Sequence, residues 1–359
     1  MRFEFLSSTP PSPTEGSGTW VAIDGVVGGL RRLGHIAALR PITSRSGFHT
    51  LDRWRYNREV VREPPNADVV IGVDLDGYRW ALRRPRGVRY AVMLKGIIAD
   101  ELRNERGLVR ALLTLQARWE RTNVHRAQRV IVPSRYSAGV AHDVYDIPLE
   151  RIGVVPEPID LAEWRRRFAG APRRRGGPPT VLSVARMYPR KRLEDLLVAT
   201  GRLRSRIPDV RVRIVGAGPE SVRLRTLTTS LELTDVVTFL GEISRSALAV
   251  EYVGADCFCL PTVQEGFGLV FAEAMAAGLP IVACRAGAVP EVVLDGRTGL
   301  LVSQRDPEEL AKAMETLLTS TALRAELSAA GRHRVEEFDL DRVAARLVDE
   351  LPPASGAGA

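Results

Sequence analysis

Two glutamates separated by seven residues mark the stretch with the clearest chemistry, Glu265 and Glu273. Glu265 lies in the glycine-bearing segment Gln264–Gly268, and Glu273 lies in a segment of helical composition, Leu269–Ala277. Carboxylates accept hydrogen bonds from hydroxyl groups, glycines let a ligand approach the backbone, and the amides that begin a helix favour an anion. These groups together suit a nucleotide sugar, which carries both hydroxyls and phosphates.

The simpler interpretation of either glutamate alone is a solvated side chain on an ordinary helix. That interpretation does not account for Phe267 between two glycines, Gly266 and Gly268, or for the Pro290-Glu291 pair in the following loop. Both interpretations stay open at this point.

The elements that position the two glutamates are short and sharply bounded. Cys257–Leu260 is an apolar run that Pro261 ends, which predicts a buried parallel strand. Gly278 and Pro280 end the predicted helix, and Ile281–Cys284 is the next predicted strand. The loop therefore follows the carboxyl end of a strand, where open α/β sheets bind ligands.

Two cations precede this stretch in a similar setting. The predicted strand Val181–Ala185 leads directly into Arg186, and Lys191 follows five positions later. A guanidinium and an ammonium at a loop and helix start suit a pyrophosphate. Surface cations in an arginine-rich chain are the alternative, but the chain has only three lysines, Lys95, Lys191 and Lys312.

The stretch from Ala255 to Val302 resembles the donor-site signature of retaining glycosyltransferases of the GT-B fold, family four, with its E-x7-E motif. The resemblance implies that Glu265 contacts the transferred sugar, that Glu273 contacts the ribose, and that Arg186 and Lys191 clamp the diphosphate. It also implies further donor-binding positions, both in the central stretch and in the glycine loop near the N-terminus: Gly266, Phe267, Gly268 and Leu269, and Gly16 and Gly18.

The acceptor side is expected in the first half of the chain, where the match is looser. Asp74 and Asp76 follow the predicted strand Ala67–Val73, and we expect them on the rim of the acceptor cleft. An Asp-x-Asp pair also resembles the metal-binding motif of the other large glycosyltransferase fold, but the GT-B resemblance argues against a metal role. Lys95 follows the strand Val88–Leu94, where many family members have a histidine that faces the acceptor.

The resemblance and the alternation of predicted strands and helices indicate an α/β protein of GT-B type, with two Rossmann-like, doubly wound domains facing each other across a cleft. A length of 359 residues suits two domains. We expect an acceptor-side domain, a linker, a donor-binding domain, a C-terminal helix returning towards the first domain, and a disordered tail, over residues 1–164, 165–179, 180–337, 338–351 and 352–359 respectively.

Composition limits the compartment and the partners. No apolar run is long enough to span a membrane, a signal-peptide core is missing, and the three cysteines fall in predicted buried strands, so we expect a cytoplasmic protein with reduced thiols. The formal net charge is +8. We attribute it to arginine use on solvated faces rather than to nucleic-acid binding.

The predicted helix Ile97–Arg121 mixes leucines with arginines. Its apolar stripe favours ordinary core packing, and a peripheral contact with an anionic membrane is the alternative.

The hypothesis from the sequence is a metal-independent, retaining transfer of a hexose from a nucleoside diphosphate sugar, UDP- or GDP-linked, without a further cofactor. The acceptor, a glycan, lipid or small molecule, is not predicted. A phosphorylase or nucleotide-sugar epimerase of the same fold, or a basic protein that binds nucleic acid or membranes, are the alternatives.

Overall fold

The computed structural model describes residues 1–10, 17–85, 87–102, 107–172 and 176–352. The chain forms two compact units. The first contains Met1–Pro158 and Leu340–Ala359, and the second contains Ile159–Asp339.

The first unit has, within its described residues, a six-stranded parallel sheet in the order β2-β1-β3-β4-β5-β6. Its strands are β1 (Arg2–Leu6), β2 (Ile36–Arg40), β3 (Val69–Val73), β4 (Arg89–Met93), β5 (Arg129–Val132) and β6 (Ile152–Val154). Its helices are α1 (Ser17–Arg32), α2 (His49–Arg62), α3 (Tyr78–Ala81), α4 (Ile98–Glu101), α5 (Gly107–Arg126), α6 (Arg135–Tyr145) and, from the chain end, α15 (Leu340–Glu350).

The second unit has a six-stranded parallel sheet of its own, also counted over the described residues, in the order β12-β11-β10-β7-β8-β9. Its strands are β7 (Thr180–Val184), β8 (Arg211–Val215), β9 (Val237–Gly241), β10 (Cys257–Leu260), β11 (Ile281–Cys284) and β12 (Gly299–Val302). Its helices are α7 (Leu161–Gly170), α8 (Leu193–Arg204), α9 (Ser221–Ser230), α10 (Arg245–Gly254), α11 (Leu269–Ala277), α12 (Val289–Val292), α13 (Pro307–Thr319) and α14 (Thr321–Arg334).

The central strands are apolar along their whole length because helices cover both faces of each sheet. Every residue of β3, β10 and β11 is buried. Within the first unit α15 packs closely on α1: a Cβ built at Gly29 would lie 2.5 Å from the Leu340 carbonyl oxygen. Only glycine fits there, so this one position sets how near the two helices lie.

The expected linker at 165–179 is wrong over its first part. Residues 165–170 belong to α7, whose Trp164 and Phe168 rings stack 5.2 Å apart and both pack on Tyr252. The arginines between these aromatic residues gave the segment the composition of a linker, although its apolar residues recur at helical spacing. Residues 173–175 lie outside the described chain.

The expected single helix Ile97–Arg121 is also different. The structure has α4 and α5 instead, with residues 103–106 outside the described chain. In α5 the side chains of Leu108, Leu112 and Leu115 are exposed, so the expected core packing is wrong for this half of the helix.

The three cysteines are free and buried, as predicted. In the described part of the chain, no helix has the length and apolar character to cross a membrane.

Candidate functional site

The strand order of the second unit places a ligand crevice between β7 and β10. The chain leaves β7 towards β8 on one side, whereas β10 continues to β11 on the other, so the loops after β7 and β10 diverge at this point. Those loops, residues 185–192 and 261–268, are called the switch-point loops below. They carry Arg186, Lys191 and Glu265, which the sequence assigned to one site.

Contacts between the switch-point loops hold them together. The Val263 amide donates to the Arg190 carbonyl at 2.9 Å, and the Thr262 hydroxyl donates to the same oxygen at 3.2 Å. Lys191 Nζ forms an ion pair with Glu265 Oε1, and these side chains are only 13% and 11% exposed. The structure thus joins two predicted site residues that are far apart in sequence. Arg186 follows β7 in the same loop and is half-buried.

The start of α11 leaves room for an anion. Gly268 is its N-cap, with φ +90°, and glycine has no side chain to bond the first-turn amides. A Cβ at Gly268 would lie 2.6 Å and 2.8 Å from two atoms of the Phe271 ring. The glycine is therefore required both by its backbone conformation and by the ring beneath it. Leu269 is the first residue of the helix, and Gly266 lies in the loop before it.

The glycines at 216 and 218 have a packing role. A Cβ at Gly218 would lie 2.7 Å from both the backbone nitrogen and oxygen of Met187, and one at Gly216 would lie 2.1 Å from the Ala185 oxygen. The loop after β8 is thus pressed against the first switch-point loop and supports it.

Glu273 is half-buried and bonded within its own unit. The Tyr252 hydroxyl donates to Glu273 Oε2 at 2.9 Å. Burial raises the pKa of Glu273 to about 7, although the hydrogen bond from Tyr252 and the charge of Arg245 act in the opposite direction. A carboxylate with this pKa changes its ionisation near neutral pH. Its contact with ribose stays a prediction.

Phe267 packs inward. Its ring is buried and meets Phe338 edge-to-face at 5.1 Å. The side chain anchors the second switch-point loop to the core, so the backbone is the part of Phe267 available to a ligand.

In the first unit, Asp76 is a buried structural residue. Its side chain is 2% exposed, and one carboxylate oxygen accepts bonds from the Ser8 amide at 2.6 Å and the Ser8 hydroxyl at 2.7 Å. The other oxygen accepts from Asn57 Nδ2 at 2.9 Å, and Asn57 Oδ1 accepts from the Gly77 amide at 2.7 Å. The predicted place on a cleft rim is therefore wrong for Asp76, because these bonds tie β1, α2 and the loop after β3 together.

Asp74 and Lys95 form a second polar group at the carboxyl ends of β3 and β4. Asp74 Oδ1 accepts from the Lys95 amide at 2.8 Å. Lys95 Nζ pairs with Glu157 Oε2 at 2.6 Å, and both side chains are almost fully buried. Burial raises the pKa of Asp74 and of Glu157, while Lys95 lowers both. Lys95 stands where many family members have a histidine. Its positive charge is balanced by the negative charge of Glu157.

The two N-terminal glycines that were predicted to bind the donor are only partly described by the structure. Gly18, predicted to lie in a glycine loop, is instead exposed in the first turn of α1, and Gly16 lies outside the described residues. Within the described residues no group of three or more His, Cys, Asp or Glu side chains is placed to hold a metal ion.

Sequence reasoning did not find Glu157, Tyr252 or Glu120. Glu157 stands between two prolines after a buried strand, which was a usable signal. Tyr252 gave none, because an aromatic residue on a helix resembles any core residue. Glu120 is fully buried on α5, where it accepts from the Tyr145 hydroxyl and the Ile98 amide, and burial raises its pKa.

Two doubly wound parallel sheets, each in its own unit, place the chain in the GT-B structural class. In agreement, the structure is similar to sucrose-phosphate synthase from Thermosynechococcus elongatus, with a TM-score of 0.79, 22% identity and 97% of each chain covered.

Two family models match the chain, Glycosyltransferase Family 4 over residues 11–163 and Glycosyl transferases group 1 over residues 165–334. Together they cover most of each unit, and the chain belongs to glycosyltransferase family four.

The relatives differ in the acceptors that their names state. The chain is 36% identical over 204 residues to a GDP-mannose-dependent alpha-(1-6)-phosphatidylinositol monomannoside mannosyltransferase of Mycobacterium tuberculosis, covering 55% of this chain and 52% of the relative. It is 34% identical over 230 residues to a D-inositol 3-phosphate glycosyltransferase of Pseudarthrobacter chlorophenolicus, covering 62% and 55%. The chain spans about half the length of these relatives.

Proposed function

We propose that this chain is a hexosyltransferase that uses a nucleoside diphosphate sugar, with retention of configuration and without a metal ion. The observation that carries the proposal is the ion pair of Lys191 and Glu265 across the switch-point loops. It brings a cation and a carboxylate to the crevice of a doubly wound sheet, next to an uncapped helix start at Gly268.

Each group has a task in the proposed reaction. When the bond between the sugar and the diphosphate breaks, the departing diphosphate gains negative charge. Arg186, Lys191 and the first amides of α11 stabilise that charge electrostatically. Glu265 accepts hydrogen bonds from the hydroxyls of the sugar, and Glu273 accepts them from the ribose. The acceptor hydroxyl oxygen forms the new bond to the anomeric carbon of the sugar, and its proton passes to the departing diphosphate.

The nucleoside diphosphate of the donor is GDP or UDP in this proposal. The name of the mannosyltransferase relative supports testing GDP first. The acceptor is a glycan, a lipid or a small molecule. The names of the two relatives include a lipid and a small inositol phosphate. They support keeping both a lipid and a small molecule as candidate acceptors.

Thermal unfolding with UDP, GDP, ADP and TDP, each with magnesium and with EDTA, tests the donor site. A nucleotide at a hundred times its dissociation constant is expected to stabilise the fold by about 2.7 kcal/mol. The same shift with EDTA, and its loss in Glu273→Ala, would support the metal-free site. If none of the four nucleotides moves the midpoint, the proposed function is wrong.

A further inference from the structure

Tyr252 on α10 is a buried tyrosine whose hydroxyl reaches a predicted donor-binding residue. Its side chain is fully buried, and the hydroxyl donates to Glu273 Oε2 at 2.9 Å. Burial raises the pKa of the Tyr252 hydroxyl well above its ordinary value, and the charge of Glu273 acts in the same direction, so the hydroxyl keeps its proton and acts as the donor. Over the residues that the structure describes, the Glu273 carboxylate has no other hydrogen-bond partner. Its orientation therefore depends on Tyr252.

Aromatic neighbours from two elements hold the ring of Tyr252. Trp164 and Phe168 of α7 meet it edge-to-face, at 5.7 Å and 6.3 Å. Phe258 of β10 stacks against it at 6.2 Å. A tyrosine side chain has only two torsions, so these contacts fix where its hydroxyl lies. Helix α7, part of which has the composition of a linker, thus belongs to the packing behind the candidate site.

The same aromatic packing continues to the start of α11. Phe258 meets Phe271 edge-to-face at 5.9 Å, and the Phe271 ring lies against Gly268, the N-cap of that helix. Glu273 is on the same helix. The packing that fixes the Tyr252 ring therefore also fixes the helix that carries Glu273, and both ends of the hydrogen bond are held before a ligand binds.

We propose that Tyr252 is a positioning residue for the donor: it holds Glu273 Oε2, so that Oε1 accepts hydrogen bonds from the ribose hydroxyls. This inference rests on the proposed function, which assigns the ribose to Glu273. A glutamate side chain has many rotamers, and one that is already held in the binding orientation loses less conformational entropy when the ligand arrives. Tyr252 itself does not touch the donor, and its effect on binding passes through Glu273 alone.

The simpler role of this hydrogen bond is to compensate a carboxylate that is partly removed from water. The two roles differ in what the loss of the hydroxyl does to binding. Compensation alone would weaken the fold, and with it the binding of every nucleotide by the same factor. Positioning would weaken the binding only of ligands that carry the ribose hydroxyls.

Calorimetric binding of GDP and UDP, each compared with its 2′,3′-dideoxy form, separates the two roles. For the base that binds more tightly, we expect the parent to bind the dideoxy form about ten- to a hundredfold less tightly, the usual effect of losing hydrogen bonds to a charged group. Tyr252→Phe keeps the ring and removes the hydroxyl. In this variant the affinity for the unmodified nucleotide should fall about tenfold, while the affinity for the dideoxy form should stay as in the parent.

Glu273→Ala completes the comparison. It should bind both forms about equally, and adding Tyr252→Phe to it should not change the ratio of the two affinities further, because Tyr252 acts through Glu273. Tyr56→Phe is the matched control. Tyr56 is also buried, lies in the first unit, and donates from its hydroxyl to the Arg40 carbonyl at 2.8 Å. Its loss should lower the stability of the fold but keep the parent ratio.

Three results would overturn the inference and leave the donor site in place. Tyr252→Phe could keep the parent ratio, it could lose affinity for both forms by the same factor, or it could change the ratio further in the Glu273→Ala background. A parent that binds both forms equally would also refute it, since Glu273 would then not contact the ribose. If the parent binds none of the four nucleotides, the proposed function itself is wrong, and the inference fails with it.

Discussion

Lys191 and Glu265 each have two possible roles, one in holding the loops and one in binding the donor. The ion pair between them is largely shielded from water, so removing one partner leaves the other charge poorly solvated. A loss of activity in a single variant would therefore not by itself separate catalysis from folding. A design that removes both charges can separate them.

Lys191→Gln is expected to reduce the rate of sugar transfer by roughly a hundred- to a thousandfold, the usual effect of removing one preorganised electrostatic contact to a leaving group. The unpaired Glu265 should cost the fold about 3–5 kcal/mol. Steady-state transfer assays and denaturant unfolding measure the two effects. Lys312→Gln, at an exposed lysine on α13, is the control and should change neither.

The double variant, Lys191→Gln with Glu265→Gln, completes the comparison. It removes the uncompensated charge and should recover much of the lost stability, while the transfer rate stays low. Recovery of the rate along with stability would show that Lys191 has only a structural role.

Among the elements, α11 depends most on its N-cap residue, Gly268. Gly268→Ala forces an alanine into a left-handed conformation and against the Phe271 ring. We expect a loss of about 2–4 kcal/mol in the free energy of unfolding, the sum of backbone strain and overpacking. Nucleotide binding should weaken as well, because the helix start moves.

Gly296→Ala is the matched control for that variant. Gly296 also has a positive φ, +66°, but a Cβ there meets nothing within 4 Å. It should cost only about 1 kcal/mol, from backbone strain alone. Equal costs at the two glycines would contradict the role of the Phe271 contact.

The bounds of β10, α11 and β11 agree with the sequence predictions, because each is a buried apolar run that a proline or glycine ends. The sequence did not predict α2. Its buried side carries Asp52 and Asn57 beside Tyr56 and Val60, so the apolar period is hidden. Asn57 is inside because it bonds Asp76 and Gly77, contacts that only the folded chain reveals.

Across the whole molecule, the side-chain pairings that form the candidate sites could not be predicted from the sequence. The predicted site members Lys191 and Glu265 were assigned from motifs, but no pattern indicated that they touch. The Lys95–Glu157 pair joins the ends of two strands in the first unit. Such contacts follow from strand order, which single-sequence periodicity does not determine.

Buried carboxyl groups give the molecule an unusual dependence on pH. Burial raises the pKa of Asp74, Asp76, Glu120 and Glu157, and it raises the pKa of Glu273 to about 7. A group whose folded pKa lies above its unfolded value binds protons more tightly in the folded state. Its contribution to stability is complete below the unfolded pKa and is lost as the pH rises through the folded pKa.

Other groups act at lower pH. Hydrogen bonds from arginine partners lower the pKa of half-buried acids such as Glu163 and Glu308, whose contributions are lost only below the ordinary carboxyl range. Partial desolvation and nearby arginines lower the pKa of His49, so its contribution rises with pH and is complete above the ordinary histidine value of 6.5. Above pH 6.5 the raised pKa values of the buried acids therefore determine how the free energy of unfolding changes with pH.

We therefore expect the free energy of unfolding to fall between about pH 6.5 and 8, with Glu273 alone contributing about 1 kcal/mol of the decrease. Denaturant unfolding across this range measures the slope. In Glu273→Gln the decrease should be smaller, because the side chain stays neutral and keeps its hydrogen bond with Tyr252. Since this variant removes one charge, Glu291→Gln on α12 is the control and should keep the parent slope. A parent slope that rises with pH, or one that Glu273→Gln leaves unchanged, would contradict the raised pKa of Glu273.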